Sequence, residues 1–145
     1  MGKYGPFGGS GGDPNPGFFL AVSEEVGEVV VHVGHRDGAA FMIVAIEFVS
    51  RQGQIQRFGG NGDADEHHSF SLDTGDAIAK ITGRSGAYVK TIRIWLKSGR
   101  DSGWLGGSVF SREQLEFEYD GGNQRIVGLW GRTGAWIDAI GVYSA

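Results

Sequence analysis

Apolar residues alternate with polar or small ones in several short segments, with the two-residue period of a half-buried β-strand. The clearest segments contain Ile92 and Ile94, separated by Arg93, and Ile140 and Val142, separated by Gly141. Another alternating segment precedes each of these. Gly-Gly steps at residues 8–9, 59–60 and 106–107 are followed by apolar stretches at residues 18–20, 70–72 and 115–119. The pattern predicts units of about four short strands joined by glycine-rich turns.

The strand pattern recurs at a fixed interval. Gly38, Gly86 and Gly134 are each followed by alanine and lie 48 residues apart. The apolar columns keep this spacing: Val33, Ile81 and Leu129; Val44, Ile92 and Ile140; Ile46, Ile94 and Val142. Self-similarity at a constant period is typical of repeated structural units. We therefore expect a single domain over residues 1–145 that contains three internal repeats of about 48 residues.

The three copies differ chemically at one place. The fourth residue after the repeated glycine is Met42 in the first copy, Lys90 in the second and Asp138 in the third. Only the third copy has a carboxylate there, so we expect the functional site to lie beside Asp138.

Composition favours an all-β fold. The chain has 27 glycines, which are unfavourable in helices by about 1 kcal/mol each. Residues 111–114 fit the start of a helix, but Leu115, Phe117 and Tyr119 alternate and predict a strand. There is no cysteine, so no disulfide is expected.

Charge and hydropathy exclude several classes of partner. A net charge of −4 disfavours nucleic acid, and the arginine that recurs once per copy predicts structural pairing rather than a basic patch. No apolar run approaches the ~18 residues of a membrane span. No N-terminal signal sequence is visible. We expect a soluble protein, either cytoplasmic or secreted by a non-classical route.

Candidate metal and catalytic groups are weak. Residues 63–68 read Asp-Ala-Asp-Glu-His-His, but adjacent histidines lack metal-ligand spacing, so a solvated loop is favoured. There is no cysteine nucleophile and no Gly-x-Ser-x-Gly motif, and Asp138 lacks an obvious carboxylate partner for glycoside cleavage. We therefore predict no enzymatic activity, no bound metal and no cofactor.

Three glycine-rich segments identify a family resemblance. Residues 5–12, 58–62 and, most specifically, 128–143 resemble those of jacalin-related lectins. The resemblance covers essentially the whole chain. It implies a β-prism I fold, in which three four-stranded Greek-key sheets surround a pseudo-three-fold axis.

The resemblance also implies a metal-independent sugar site. Its two loops would be the Gly-x-x-x-Asp loop and the N-terminal glycine-rich loop, which contributes Gly12. The residues of the first loop are Gly134, Ala135, Trp136, Ile137 and Asp138. A carboxylate accepts two sugar hydroxyls in charge-assisted bonds, main-chain N–H groups donate to others, and the Trp136 ring can lie along an apolar sugar face. Since Met42 and Lys90 accept no hydroxyl protons, we expect one primary site.

The resemblance also bears on sugar specificity and on oligomeric state, and it leaves alternatives open. The family's galactose-binding members use a cut N-terminal glycine, whereas this chain runs uncut from Met1, so mannose or glucose is favoured. Trp136 keeps galactose open, because galactose-type members also have an aromatic residue there. A β-prism module that contacts protein or membrane without sugar affinity is the other alternative. One weak site per chain favours a homodimer or higher oligomer that binds glycans or glycoproteins multivalently.

Overall fold

The structure, a computed structural model, describes residues 1–36, 39–107 and 114–145. Twelve β-strands and no helix occur in these ranges, so no described helix could cross a membrane. The strands are β1 (Gly2–Gly8), β2 (Asp13–Phe19), β3 (Val26–Arg36), β4 (Ala39–Ser50), β5 (Ile55–Gly59), β6 (Glu66–Ser71), β7 (Ile78–Ser85), β8 (Val89–Leu96), β9 (Asp101–Gly106), β10 (Leu115–Asp120), β11 (Ile126–Thr133) and β12 (Ile137–Ser144).

The strands form three four-stranded antiparallel sheets, which confirms the predicted β-prism I fold. Sheet 1 has the order β1-β12-β11-β2, sheet 2 the order β5-β4-β3-β6, and sheet 3 the order β10-β7-β8-β9. Sheets 2 and 3 are Greek keys, because the fourth strand of each returns to lie beside its first. Sheet 1 has the same arrangement when its strands are taken in the order β11, β12, β1, β2. Sheet 1 is closed by strands from both ends of the chain, with Lys3 opposite Tyr143.

The inner faces of the three sheets share one core. Its residues include ten that are at most 1% exposed: Val29, Val31, Ile46, Phe48, Ile81, Ile92, Ile94, Leu129, Ile140 and Val142. Fully burying each such side chain stabilises the fold by roughly 1.5–3 kcal/mol. An isolated sheet would leave this face in water, so the sheets stabilise one another.

The first hairpin departs from the 48-residue period. The core pairs are Val31 with Ile46 in sheet 2, Gly83 with Ile92 in sheet 3, and Gly131 with Ile140 in sheet 1. Their sequence separations are 15, 9 and 9 residues, so the first hairpin is six residues longer. Two bulges lie in β4, at Val44 and between Ala40 and Met42. The second accommodates part of this length, because the bulge at Val44 has counterparts in the other two hairpins.

The longer hairpin changes which residue corresponds to Asp138. A glycine N–H donates to the carbonyl of Asp138 in sheet 1, of Lys90 in sheet 3 and of Val44 in sheet 2, each at 2.8 Å. The expectation that Met42 is the first counterpart is therefore wrong. Met42 is fully buried two residues earlier, and Val44, like Met42, offers no acceptor side chain.

Two local predictions have opposite outcomes. Leu115–Asp120 is strand β10 as predicted, although residues 111–113 of the helical alternative lie outside the described ranges. The solvated loop predicted at residues 63–68 is wrong from Glu66 onward, where β6 begins and pairs with β3. Main-chain pairing to the edge of sheet 2 outweighs the polar composition, and His67 and His68 consequently point to opposite faces.

Candidate functional site

Two loops meet above the end of sheet 1. The loop between β1 and β2 crosses the β11–β12 turn, and the N–H of Gly9 donates to the carbonyl of Asp138 at 2.8 Å. The guanidinium of Arg132 donates to the carbonyls of Gly11, at 3.0 Å, and Gly12, at 2.8 Å. Arg132 therefore has the structural role predicted for the recurring arginine, since it holds the N-terminal loop in place.

The glycines allow the main chain to approach the Asp138 carboxylate. A Cβ on Gly12 would lie 2.7 Å from Oδ1 of Asp138 and 2.6 Å from the carbonyl oxygen of Thr133, and one on Gly11 would lie 2.7 Å from Oδ2 of Asp138. Gly12 also has φ +66°, which disfavours any residue with a side chain. The structure thus brings Gly12 and Asp138 together as predicted and adds Gly11, which the sequence did not single out.

Asp138 is a buried acceptor. Its residue is 5% exposed, and within the described ranges it forms no ion pair. Desolvation raises the pKa of its carboxyl, while Arg132 and the main-chain amide of Gly134 act in the opposite direction. Arg132 thus attracts the carboxylate at a distance but forms no ion pair with it, so the desolvated carboxylate is suited to accept hydrogen bonds from a ligand.

The remaining predicted residues lie on the same loop with different exposures. Gly134 and Ala135 are exposed, and their carbonyls accept from the N–H groups of Asn61, at 3.1 Å, and Gly62, at 2.8 Å. Ile137 is fully buried in the core, so only its main chain could reach a ligand. The turn is therefore anchored from sheet 2 on one side and from the core below.

The aromatic wall of the site comes from another sheet. A cavity of about 240 Å³ is lined by Asp138, Tyr88, Ala87 and the main chain of residues 9–11. Trp136 packs edge-on against Tyr88, with ring centroids 4.8 Å apart and planes at 87°. Tyr88, not Trp136, lines the cavity. The sequence does not mark Tyr88 as a site residue: it lies 48 positions before Trp136, in the corresponding turn of the second copy. Only the three-sheet ring shows that the turns of neighbouring copies face one another.

No metal centre is found in the ranges that the structure describes. No group of three or more histidine and acidic side chains there could hold an ion. The polar residues around β6 instead bond to one another: Nδ1 of His35 lies 2.5 Å from Asp65, and Nε2 of His68 lies 2.8 Å from Glu66. The hydrogen bond that the His35 ring donates to the Asp65 carboxylate raises the pKa of His35 and lowers the pKa of Asp65.

Comparison with known proteins decides the family. The sequence profile of the Jacalin-like lectin domain matches residues 4–143. The chain belongs to this family. Horcolin, from barley (Hordeum vulgare), is 31% identical over 153 aligned positions that cover 97% of this chain and 94% of horcolin. The prism and the glycine-lined Asp138 carboxylate between its two loops are therefore features of a jacalin-like lectin.

Solved structures confirm the architecture. Wild-type Malaysian banana lectin superposes with a TM-score of 0.73 at 26% identity, over 99% of this chain and 96% of that one. Artocarpin in complex with mannotriose gives a TM-score of 0.73 at 18% identity, over 99% and 96% of the two chains. The family and its lectin neighbours make this a carbohydrate-binding protein rather than an enzyme.

Proposed function

We propose that this jacalin-like lectin binds mannose-type or glucose-type glycans, without a metal, between the N-terminal loop and the β11–β12 turn. The observation that carries the proposal is the buried Asp138 carboxylate, which has no ion-pair partner in the described ranges and lies against the main chain of Gly11 and Gly12. A ligand that brings its own hydroxyl donors would compensate the lost hydration of this group.

The main chain around Asp138 supplies the complementary donors. Within the described residues, the N–H groups of Gly11, Gly12, Ala135 and Trp136 donate to no main-chain carbonyl outside strand pairing. Fixed amides lose no side-chain entropy on binding. Adjacent hydroxyls of a pyranose both donate and accept, so one sugar ring would bond to Asp138 and to these amides together.

The choice of sugar is the finer part of the proposal. Artocarpin, a fold neighbour, was solved with mannotriose. Galactose is the alternative, since the Tyr88 ring and its Trp136 support offer an aromatic surface for an apolar sugar face.

A single monosaccharide site gives weak binding. Few hydrogen bonds form and water competes, so we expect a Kd on the order of millimolar, about −4 kcal/mol. Avidity for glycoproteins would then require several sites in one assembly. We therefore propose a homodimer or higher homo-oligomer, which sedimentation equilibrium would detect.

A glycan array and titration calorimetry test the site. Wild type, Asp138→Asn and Tyr88→Ala are compared with methyl α-mannoside and methyl α-galactoside as competitors. Asp138→Asn keeps the shape of the side chain but removes the charged acceptor, so we expect at least a roughly tenfold loss of affinity. Tyr88→Ala should weaken binding a few-fold, as expected for an aromatic contact worth about 0.5–1.5 kcal/mol.

The outcomes separate the alternatives. Stronger competition by methyl α-galactoside would overturn the mannose preference but keep the site. Equal binding by wild type and Asp138→Asn would place the sugar elsewhere. An array without any signal for wild type would favour the module that contacts protein or membrane.

A further inference from the structure

A second, larger cavity lies on the other side of the β11–β12 turn. It has a volume of about 470 Å³ and lies between sheet 1 and sheet 2, where the edge strands β2 and β5 approach each other. Its lining includes Asp13, Arg57, Gly60, Asn61, Thr133 and Gly134.

Gly12 and Gly134 lie between the residues that line the first cavity and those that line the second. Asp13 and Thr133 are paired across β2 and β11, and the next residues toward the turn are Gly12 and Gly134. A Cβ on Gly134 would lie 3.7 Å from the Cα of Gly12 and 3.8 Å from Oδ1 of Asp138. Because both residues are glycines, no side chain blocks a chain of linked rings that passes over them.

The polar groups of the second cavity are fixed but incompletely used. The guanidinium of Arg57 donates to the carbonyl of Gly60 at 2.7 Å and makes no ion pair within the described residues. Asp13 is exposed and likewise has no ion-pair partner there. The hydroxyl of Thr133 accepts from Nδ2 of Asn15 at 3.0 Å, which leaves its own hydrogen to donate. Donors and acceptors are thus both presented.

The charge balance selects the kind of ligand. An anionic ligand at Arg57 would face the carboxylate of Asp13, and a cationic ligand at Asp13 would face the guanidinium. A neutral polyhydroxylated ring uses both groups, since its hydroxyls donate to the carboxylate and accept from the guanidinium.

We propose that this cavity is a second saccharide subsite, which extends the Asp138 site so that one chain binds a neutral glycan of two or more residues across Gly134. The inference rests on the proposed function, because the first ring is the one held at Asp138. Arg57 and Asp13 then determine the preference for an extended glycan over a monosaccharide.

The test compares a short and a long probe. Methyl α-mannoside and the α-1,3/α-1,6-linked mannotriose are titrated into wild type, Arg57→Gln, Asp13→Asn and, as a control, Arg100→Gln. Arg57→Gln removes the charge but keeps a side-chain N–H donor, and Asp13→Asn keeps the side-chain shape. Arg100 is an exposed arginine in the β8–β9 turn of sheet 3, at the other end of β8 from the turn that carries Tyr88.

We expect mannotriose to bind wild type more tightly than methyl α-mannoside does. Arg57→Gln and Asp13→Asn should each reduce mannotriose affinity roughly fivefold to tenfold, as for the loss of a hydrogen bond to a charged group. Affinity for methyl α-mannoside should stay within about twofold of wild type in both variants. Arg100→Gln should leave the affinity for both probes unchanged.

Three results would overturn the subsite. They are equal affinity of wild type for the two probes, unchanged mannotriose affinity in both variants, or a parallel loss for both probes, which would show an effect on the loop rather than on a second ring. Failure of the proposed function is distinguishable, because wild type would then bind neither probe or Asp138→Asn would bind both normally.

Discussion

Lys90 and Asp138 occupy the same place in two hairpins of the prism. In each hairpin a glycine N–H donates to the carbonyl of this residue at 2.8 Å, from Gly107 in sheet 3 and from Gly9 in sheet 1. Both residues are 5% exposed. Burial lowers the pKa of Lys90 and raises the pKa of Asp138, so in both cases the fold disfavours the charge. The fold therefore provides the same buried position twice, and the side chain alone decides whether it can accept a hydroxyl.

The neighbouring arginines show how the rest of the site diverged. Arg84 of sheet 3 lies opposite Glu116 and forms an ion pair with it at 3.2 Å. Arg132 of sheet 1 lies opposite Pro14, which offers no carboxylate, and donates instead to Gly11 and Gly12. Replacement of the acidic partner by proline thus leaves an arginine available to hold the N-terminal loop against Asp138.

Gly12→Ala should have the largest effect on sugar affinity. It removes the close approach of the N-terminal loop to Asp138, which the Lys90 hairpin is compared with. The new Cβ would meet a main-chain oxygen at 2.6 Å in a left-handed conformation, so the loop must move. We expect at least a roughly tenfold loss of sugar affinity by calorimetry. Gly75→Ala is the matched control: its φ is +86° and nothing lies within 4 Å.

The control isolates backbone strain from crowding. Gly75→Ala should cost about 1–2 kcal/mol of unfolding free energy and leave sugar binding intact. Gly12→Ala should cost more in the same denaturation experiment. Sugar affinity at the wild-type level in Gly12→Ala would contradict the close approach of this loop to the carboxylate.

Acidification should have the second-largest effect on sugar affinity and should weaken binding. Because the pKa of Asp138 lies above its ordinary value of 3.8, protonation begins at a higher pH than for a free aspartate. Below that pKa, affinity should fall by up to about tenfold per pH unit, which calorimetry between about pH 4 and 7 would measure.

The same shift has the opposite sign for stability without ligand. A carboxyl whose pKa is raised by folding contributes stability below its unfolded pKa, and that contribution is lost as pH rises through the folded pKa. Asp138→Asn should therefore be at least as stable as wild type at neutral pH, despite its roughly tenfold or greater loss of sugar affinity. A clear destabilisation at pH 7 would show that the ionised carboxylate supports the fold.

Lys90→Met should have the smallest effect on sugar affinity. It tests whether the Lys90 hairpin of sheet 3 takes part in binding. An ammonium donates hydrogen bonds but accepts none, so it cannot replace a carboxylate as an acceptor of sugar hydroxyls. Its removal should therefore leave sugar affinity within about twofold and the number of sites at one per chain. Loss of one of two binding sites in the titration would instead show that sheet 3 also binds sugar.

Much of this architecture could be predicted because its causes are local. Alternation around Ile92 and Ile140 requires only that one face of each strand be buried, and the unique carboxylate at Asp138 needs only a comparison of copies. The extra length of the first hairpin could not be seen, because a spacing counted at Gly38 conceals residues added on either side of it. The strand at Glu66 depends on pairing with β3, which local composition does not encode.

The site was less predictable than the fold. Asp138 followed from the comparison of copies and Gly12 from the family resemblance. Tyr88 and Arg57, which line the two cavities, come from the two flanking sheets and approach the β11–β12 turn only when the prism closes. Neither has a marked sequence environment. Contacts between different repeats depend on how the sheets meet at their corners. The 48-residue repeat in the sequence shows that there are three similar units, but it does not show which of their side chains meet.

The contact between Arg132 and Gly12 joins residues that are 120 positions apart. A ribosome must therefore release nearly all of the described chain before this corner can assemble, whereas sheets 2 and 3 are each built from one continuous stretch. Forming such a distant contact is slow, since most of the loop-closure entropy is lost before any pairing energy is gained. The proposed sugar site needs this corner, so the onset of sugar binding during folding would report that the ring of sheets has closed.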